Sequence, residues 1–275
     1  MHGDGTSRRR IRPRTPELRL DEEVPRHWLG ASAFASQMAN GVCLLFPAGE
    51  RFFVRSVRRY LEGLGDAELS AQAKGFFGQE GRHARAHEDF FEVLERQGYR
   101  VRGFLRWYER IAYGGVERLA PPELSLATTA ALEHFTAILA ELALGGALLD
   151  EAHPVVRELL LWHAAEEIEH KAVAFDVLQR VSPSYALRMA GLAMGAACLG
   201  GFGLAAGVAL LLQDGSTTLR ALPADIRARR RFRSQLRRAI RRGVRDYIRR
   251  DFHPNDNDNY PLAAAYLHQA NLPPA

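Results

Sequence analysis

Apolar residues recur along the middle of the chain every three to four positions, the period of one face of an α-helix. The long stretches with this period cover residues 31–64, 66–97, 121–150 and 154–181, and a shorter one covers 101–119. Asp66 is a suitable N-cap for the second stretch, and Gly98 ends it. Pro122 and Pro154 suit the first turn of a helix, whereas Pro47 predicts a break within the first stretch. We therefore predict four long helices, paired in sequence and joined by a longer connection.

The segment from Met189 to Leu212 differs from these helices because its 24 residues carry no charge and are rich in Ala, Gly and Leu. About 20 apolar residues are enough to cross a bilayer, so insertion into or association with a membrane is one interpretation. The other is a helix of small residues buried against the core. The spacing of Gly203 and Gly207 suits close packing of helices.

The segment from Arg220 to Arg250 holds thirteen arginines and only two acidic residues, Asp225 and Asp246. Its apolar residues follow helical spacing, which predicts a basic amphipathic helix. Next to an apolar segment, an anionic lipid surface is the best partner for such a helix. Nucleic acid is a weaker candidate because no reading motif accompanies the arginines. A solvated face of a packed helix is the plain alternative.

Hydrophobic residues make up 47% of the 275 positions and charged residues 25%, which is typical of a folded protein. The two cysteines, Cys43 and Cys198, lie in apolar surroundings. They indicate neither a disulfide framework nor a zinc site and fit a reducing compartment. Residues 1–20 are rich in arginine and have no apolar run of the signal-peptide type. We expect a cytoplasmic protein, with attachment to the cytoplasmic face of the inner membrane as an alternative.

These patterns divide the chain into four parts. We predict a disordered basic tail over residues 1–24, the helical core over 25–183, the apolar and arginine-rich helices over 184–260, and a C-terminal tail over 261–275. The third part is expected either to pack on the core or to anchor it to a membrane.

Two Glu-x-x-His motifs lie in the predicted core, one in the second long helix and one in the fourth. Positions i and i+3 share a helix face, so each motif can present a carboxylate and an imidazole to one metal centre. A single glutamate precedes each motif in the neighbouring helix. In chain order the six residues are Glu50, Glu80, His83, Glu133, Glu167 and His170. Four-helix di-iron and di-manganese carboxylate proteins of the ferritin-like type require this ordered set.

The same six side chains suggest a division of roles in a dinuclear site. We assign Glu80 and Glu167 as bridging carboxylates and Glu50 and Glu133 as terminal ones. The two motif histidines then supply one nitrogen to each metal. Glutamate and histidine without thiolate favour two iron ions, with manganese as an alternative. Burying four carboxylates together is costly without cations, and this cost itself argues for metal.

A third histidine is a further candidate ligand. His163 lies four residues before Glu167 and seven before His170, so the three side chains share a helix face. The alternative for His163 is a core histidine hydrogen-bonded to Glu166 or Glu167. His87, one turn beyond the first motif, is a weaker candidate ligand, and its other interpretation is a residue that orients a ligand. We expect Glu166 to point away from the site.

Several stretches of the chain resemble bacterial proteins described as predicted metal-dependent hydrolases with a ferritin-like helical core. The matching stretches are Phe46-Pro47-Ala48-Gly49-Glu50, Gln79-Glu80-Gly81-Arg82-His83, Leu132-Glu133-His134, Trp162 to Lys171, and Phe252-His253-Pro254. This resemblance implies metal-dependent hydrolysis. The trio His163, Glu167 and His170 is also similar to the set in di-iron arylamine N-oxygenases, which carry an extra histidine before the last Glu-x-x-His. That similarity implies activation of oxygen by two irons.

Three functions are therefore open. The first, which we favour, is a non-haem di-iron enzyme that activates O2 to oxidise a small or lipid-like substrate. The second is a metal-dependent hydrolase that uses a metal-bound water. The third is a non-catalytic, membrane-associated protein that binds metal. The expected partners are the substrate, O2 and an anionic membrane surface; nucleic acid is not expected, and a homodimer is left open.

Overall fold

The computed structural model describes residues 10–146, 148–215 and 220–272, and the regular structure within them is helical. The helices are α1 (Ala33–Cys43), α2 (Phe46–Arg58), α3 (Ala67–Arg96), α4 (Val101–Ile111), α5 (Pro122–Leu144), α6 (Pro154–His170), α7 (Val173–Val181), α8 (Tyr185–Gln213), α9 (Leu222–Ala228), α10 (Arg230–Ile248) and α11 (Tyr260–Gln269). A π-helical turn, Ala112–Glu117, directly follows α4. No β-strand lies in these ranges, so the predicted all-α class is confirmed.

Helices α2, α3, α5 and α6 form the predicted four-helix bundle. α2 packs along α3 and α5 packs along α6, while α2 also meets α5 and α3 also meets α6. Their facing sides bury large side chains completely, among them Phe76, Leu126 and Leu159. α4 and its π-helical turn provide the predicted longer connection between the two pairs.

The sequence signals at helix ends act as predicted. The Asp66 carboxylate accepts a hydrogen bond from the Leu69 backbone N–H at 2.8 Å, which caps α3. Gly98 has a φ of +92°, a conformation that favours glycine and ends the helix. The first long stretch breaks just before Pro47, between α1 and α2. The fourth stretch also breaks, after His170, where the sequence predicts one continuous helix.

The apolar helix α8 packs along one side against α1 and α5. Glycines allow this approach, because a Cβ atom on Gly41 of α1 would lie 2.5 Å from the backbone nitrogen of Gly207 on α8. The opposite side of α8 exposes large apolar residues such as Leu204 and Leu212. By length and composition alone α8 could cross a membrane, and 28% of its apolar window is buried. Packing on the bundle is thus observed, and membrane association stays a prediction.

The arginine-rich segment forms two helices, α9 and α10, rather than the single helix predicted. Asp225 on α9 accepts hydrogen bonds from the Ser32 hydroxyl at 2.6 Å and the Phe34 backbone N–H at 2.9 Å, at the start of α1. α10 packs on α5, with Tyr247 fully buried. Most arginines of both helices are exposed.

Both predicted tails need correction. Residues 10–24 were expected to be disordered, but Ile11 and Arg14 are buried against the bundle. The rest of that predicted tail lies outside the described residues. Much of the predicted C-terminal tail is helix α11, which packs on α6 and buries Ala263 and Leu267. A few apolar and ion-pairing residues hold both segments in place. These residues are too sparse to produce a periodic pattern in the sequence.

Candidate metal centre

The structure brings all seven sequence-predicted site residues together in the middle of the bundle. α2 contributes one residue, α3 two, α5 one and α6 three. In that order they are Glu50, Glu80, His83, Glu133, His163, Glu167 and His170. Each of these side chains is buried. The four helices direct these side chains toward the bundle interior, where they form one cluster. The helical spacing of these residues in the sequence predicts such a cluster.

Potential ligand atoms fall into three overlapping groups, and within each group they lie within 4.8 Å of one another. The groups are Glu50 with His83 and His163, Glu80 with His83 and Glu167, and Glu80 with Glu133 and His170. Glu80 belongs to two groups, as does His83. This overlap is the arrangement that two neighbouring metal ions with a shared carboxylate would need.

Glu167 lies between the histidines of the cluster. Its Oε1 atom is 2.9 Å from Nε2 of His163, 3.4 Å from Nε2 of His170 and 3.7 Å from Nδ1 of His83. On the far side, Nε2 of His170 is 3.1 Å from Glu80 and 3.3 Å from Glu133. The central position of Glu167 fits the bridging role predicted for it.

Many polar atoms of the cluster have no hydrogen-bond partner among the described residues. Both carboxylate oxygens of Glu50, Glu80 and Glu133 lack one. So does Nδ1 of His83, and Nε2 of His170 lies 3.1 Å from Glu80 without the alignment of a hydrogen bond. Leaving a buried polar atom unpaired costs about 1–3 kcal/mol, and more for a charged group. Carboxylate and imidazole ligands that converge with free lone pairs fit a divalent first-row metal such as iron or manganese.

Burial makes the terminal carboxylates hard to ionise. It raises the pKa of Glu50 well above the ordinary range, and neighbouring carboxylates such as Glu80 raise it further. Burial also raises the pKa of Glu133 well above its ordinary range. The pKa of Glu80 rises to about 7, because burial outweighs the opposing influence of His170. Without nearby positive charge, these groups therefore favour their protonated forms.

Glu167 and His170 behave in the opposite way. Burial opposes charge on each, but attraction to the neighbouring histidines holds the pKa of Glu167 well below its ordinary range. Attraction to Glu133 and Glu167 likewise holds the pKa of His170 well above its ordinary range. The region where Glu133 and Glu167 meet His170 therefore stabilises positive charge.

A second layer of residues holds the far nitrogen of each histidine. Nε2 of His83 donates to the Glu166 carboxylate at 3.0 Å. Nδ1 of His170 donates to the side-chain oxygen of Gln79 at 2.9 Å. Such partners fix the ring orientation of a ligand and leave its other nitrogen facing the metal.

The third histidine is held in the same way by another imidazole. Nδ1 of His163 lies 2.8 Å from Nε2 of His87, so His87 has the orienting position that is one of its two interpretations. Burial lowers the pKa of both His83 and His87 well below the ordinary range. Neutral imidazole is the form that binds metal.

Two features of this layer were not predicted from the sequence. Glu166 was expected to point away from the site, but it is fully buried and contacts His83. Arg14, from the segment predicted to be disordered, donates to Glu166 through its backbone N–H at 3.1 Å and its guanidinium at 3.0 Å. The sequence signal for Glu166 is a second glutamate beside Glu167 on an otherwise buried helix; nothing in residues 10–24 marks Arg14 as its partner.

Two cavities adjoin the cluster on different sides. One, of about 80 Å³, lies between α2, α8 and the π-helical turn, and Glu50, Tyr108 and Tyr113 are in its wall. The other, of about 230 Å³, has His163 and Glu167 in its wall and is otherwise almost entirely apolar. Mostly apolar cavities therefore adjoin the cluster at Glu50 and at His163 with Glu167.

Comparison with known proteins agrees with a metal-dependent function at a coarse level. The family model described as "Predicted metal-dependent hydrolase" matches residues 12–258, which include all seven cluster residues. No curated protein and no solved structure matches the chain significantly. The resemblance to di-iron arylamine N-oxygenases therefore gains no support from these comparisons. The match covers most of the sequence, and the chain belongs to the family of predicted metal-dependent hydrolases.

Proposed function

We propose that the protein is an enzyme that binds two first-row transition-metal ions, iron in preference to manganese, and oxidises an apolar substrate with O2. The observation that carries this proposal is the overlap of three buried ligand groups through Glu80 and His83. A single metal ion would leave part of this carboxylate-rich set unpaired at a high energetic cost.

The residues around the centre support an oxidative reaction. When bound, two redox-active ions supply the electrons that reduce O2, whereas Lewis-acidic ions supply a water of lowered pKa for hydrolysis. Phe46 packs against His87 and His163 with ring centroids 4.8 and 4.7 Å apart, and Phe76 packs against His170 at 4.9 Å. These rings exclude water from the cluster, which protects reactive species and strengthens electrostatic interactions.

The smaller cavity supports the same proposal. Its volume of about 80 Å³ suits a small molecule such as O2, and Glu50 forms part of its wall. Residues of the π-helical turn Ala112–Glu117 also line it. Such turns interrupt α-helical structure at an energetic cost and occur frequently at functional sites.

Hydrolysis is the second candidate, and the description of the family favours it. A hydrolase would use the same ligands but needs water and a polar leaving group at the site. The cavities offer mostly apolar walls for such groups. The oxidation requires O2 and the hydrolysis does not, so an assay with and without O2 separates the two reactions.

The decisive test is metal analysis of protein purified without oxygen, followed by exposure to O2. We expect about two irons per chain and a change in optical absorption that needs both prior reduction and O2. Turnover of model esters in the absence of O2 would instead establish hydrolysis. If the protein binds metal but catalyses neither reaction, and unfolds when a chelator removes the metal, the metal has a structural role.

A matched pair of variants links the result to the cluster. Glu80→Gln replaces a central carboxylate, whereas Glu88→Gln changes a glutamate on the same helix that forms a surface ion pair with Arg51. Only the first substitution should abolish the optical change. Equal loss in both variants would contradict the assigned site.

A further inference from the structure

The cavity of about 230 Å³ lies between the metal-ligand cluster and α10, the longer of the two arginine-rich helices. His163 and Glu167 lie in its wall on the inner side. Apart from Thr136, the remaining wall is formed by apolar side chains, most of them from α1, α5, α6 and α10, among them Phe34, Met38, Leu139, Leu160, Phe232 and Leu236. An apolar group bound there would lie directly against the cluster.

The outer wall of this cavity belongs to α10. Phe232 and Leu236 occupy one face of that helix, four residues apart, and both are half-buried. Arg233 and Arg237 directly follow them and are exposed. Neither arginine forms an ion pair with any acidic residue in the described part of the chain. The helix therefore places apolar side chains on the cavity, and exposed arginines without an ion-pair partner directly follow them in the same turns of α10.

From this juxtaposition we infer that the substrate is a single-chain amphiphile with an anionic head. Its hydrocarbon chain lies in the apolar cavity with one carbon near the cluster, and its carboxylate or phosphate lies at the arginines of α10. This inference rests on the proposed function only where it calls the ligand a substrate. The binding site itself does not depend on which reaction the protein catalyses.

Physical chemistry sets clear expectations for such a ligand. Each buried CH2 group contributes about 0.8 kcal/mol, which corresponds to about fourfold in affinity. The affinity of linear carboxylates should therefore rise about fourfold per CH2 from hexanoate upward and level off once the cavity of about 230 Å³ is filled. Exposed charges attract the head only weakly and are screened by salt, so high ionic strength should weaken binding severalfold.

The experiment is calorimetric titration of the metal-loaded protein with laurate, 1-dodecanol and hexanoate. Laurate should bind most tightly. Equal affinity for laurate and 1-dodecanol would overturn the anionic head, and equal affinity for laurate and hexanoate would overturn the chain site. Laurate and lysophosphatidylglycerol tested side by side distinguish a free carboxylate from a phospholipid source, and either result supports the inference.

Variants test the two halves of the site separately. Ala39→Phe narrows the cavity and should weaken laurate binding at least tenfold, whereas Ala71→Phe, at an exposed position on α3, should not. Arg233→Glu with Arg237→Glu should weaken laurate about tenfold but leave 1-dodecanol unchanged. The charge-matched control is Arg106→Glu with Arg110→Glu on α4, both exposed. Metal content, measured on every variant, shows that each has folded.

Two further outcomes would overturn the inference. One is no binding of laurate by a protein that holds two metals, a result that leaves the proposed function intact. The other is tight binding to phosphatidylglycerol vesicles that Ala39→Phe does not weaken, together with no binding of free laurate. That pattern would make the arginines a contact for the membrane surface alone. Absence of metal with normal laurate binding would refute the proposed function and not the ligand site.

Discussion

The Glu166 carboxylate accepts a hydrogen bond from Nε2 of His83 at 3.0 Å, on the side of the imidazole opposite the ligand cluster. This contact fixes which nitrogen of His83 carries the proton and leaves Nδ1 facing the other ligands. Arg14 in turn holds Glu166 through two hydrogen bonds. A chain of three residues thus connects the N-terminal segment to the centre.

Replacing Glu166 with Gln should weaken metal binding about 10- to 100-fold while the fold persists, because partners of metal-ligating histidines have effects of this size. Titration with a competing chelator measures the change. Glu158→Gln, at an exposed position on the same helix, is the matched control and should bind metal normally. A Glu166→Gln variant with normal affinity and an unchanged iron spectrum would show that Glu166 serves only the packing of Arg14.

The bridging role predicted for Glu167 gives a second test. Glu167→Ala should lose most of the bound metal, because its Oε1 atom lies within 3.7 Å of three histidines. Elemental analysis of the purified variant gives the stoichiometry directly. Glu158→Ala, at an exposed position on the same helix, removes a carboxylate outside the cluster and should retain metal. A Glu167→Ala variant that binds the full amount of metal would contradict the prediction that two metal ions share this carboxylate.

The cluster was predictable from sequence because its determinants are local. Two Glu-x-x-His motifs and single glutamates on paired helices already fix which faces point inward, and burial of Glu50 and Glu133 follows from that geometry. The sequence did not predict contacts that depend on tertiary packing. Arg14 and Glu166 are separated by 152 positions, and no periodicity relates them.

The same distinction applies to the apolar and arginine-rich segments. Composition identifies α8 as apolar and α10 as basic and amphipathic, but it does not say what either covers. The structure places Phe232 and Leu236 of α10 over a cavity that reaches His163. Such a placement depends on how α9 turns the chain at Asp225, which anchors it to the start of α1.

Metal binding should depend on pH through Glu80. Burial raises the pKa of this carboxyl to about 7, so protons compete with metal below that pH. Because its pKa in the folded protein exceeds its unfolded value of 4.5, the group destabilises the metal-free fold increasingly as pH rises from about 4.5 to about 7. Metal relieves this cost by neutralising the carboxylate.

We therefore expect the rise in melting temperature caused by Mn²⁺ to be larger at pH 8 than at pH 6. Differential scanning fluorimetry with and without the ion at each pH measures this rise. Glu80→Gln cannot ionise at this position, so its residual response to Mn²⁺ should vary less between the two pH values. A larger shift at pH 6 than at pH 8 in the unsubstituted protein is incompatible with proton competition at Glu80.

The packing of α1 against α8 gives the last prediction. A Cβ atom on Gly41 would lie 2.5 Å from the Gly207 backbone nitrogen and 2.9 Å from the Gly203 carbonyl oxygen, and backbone atoms cannot move aside as a flexible side chain can. Gly41→Leu should therefore destabilise the protein by about 1–3 kcal/mol or more, as overpacking does. Chemical denaturation measures the loss. Gly200→Leu is the matched control, since a Cβ atom there meets nothing within 4 Å and leucine favours helix over glycine. If both variants unfold at the same denaturant concentration, the close approach of the two helices is not part of the native structure.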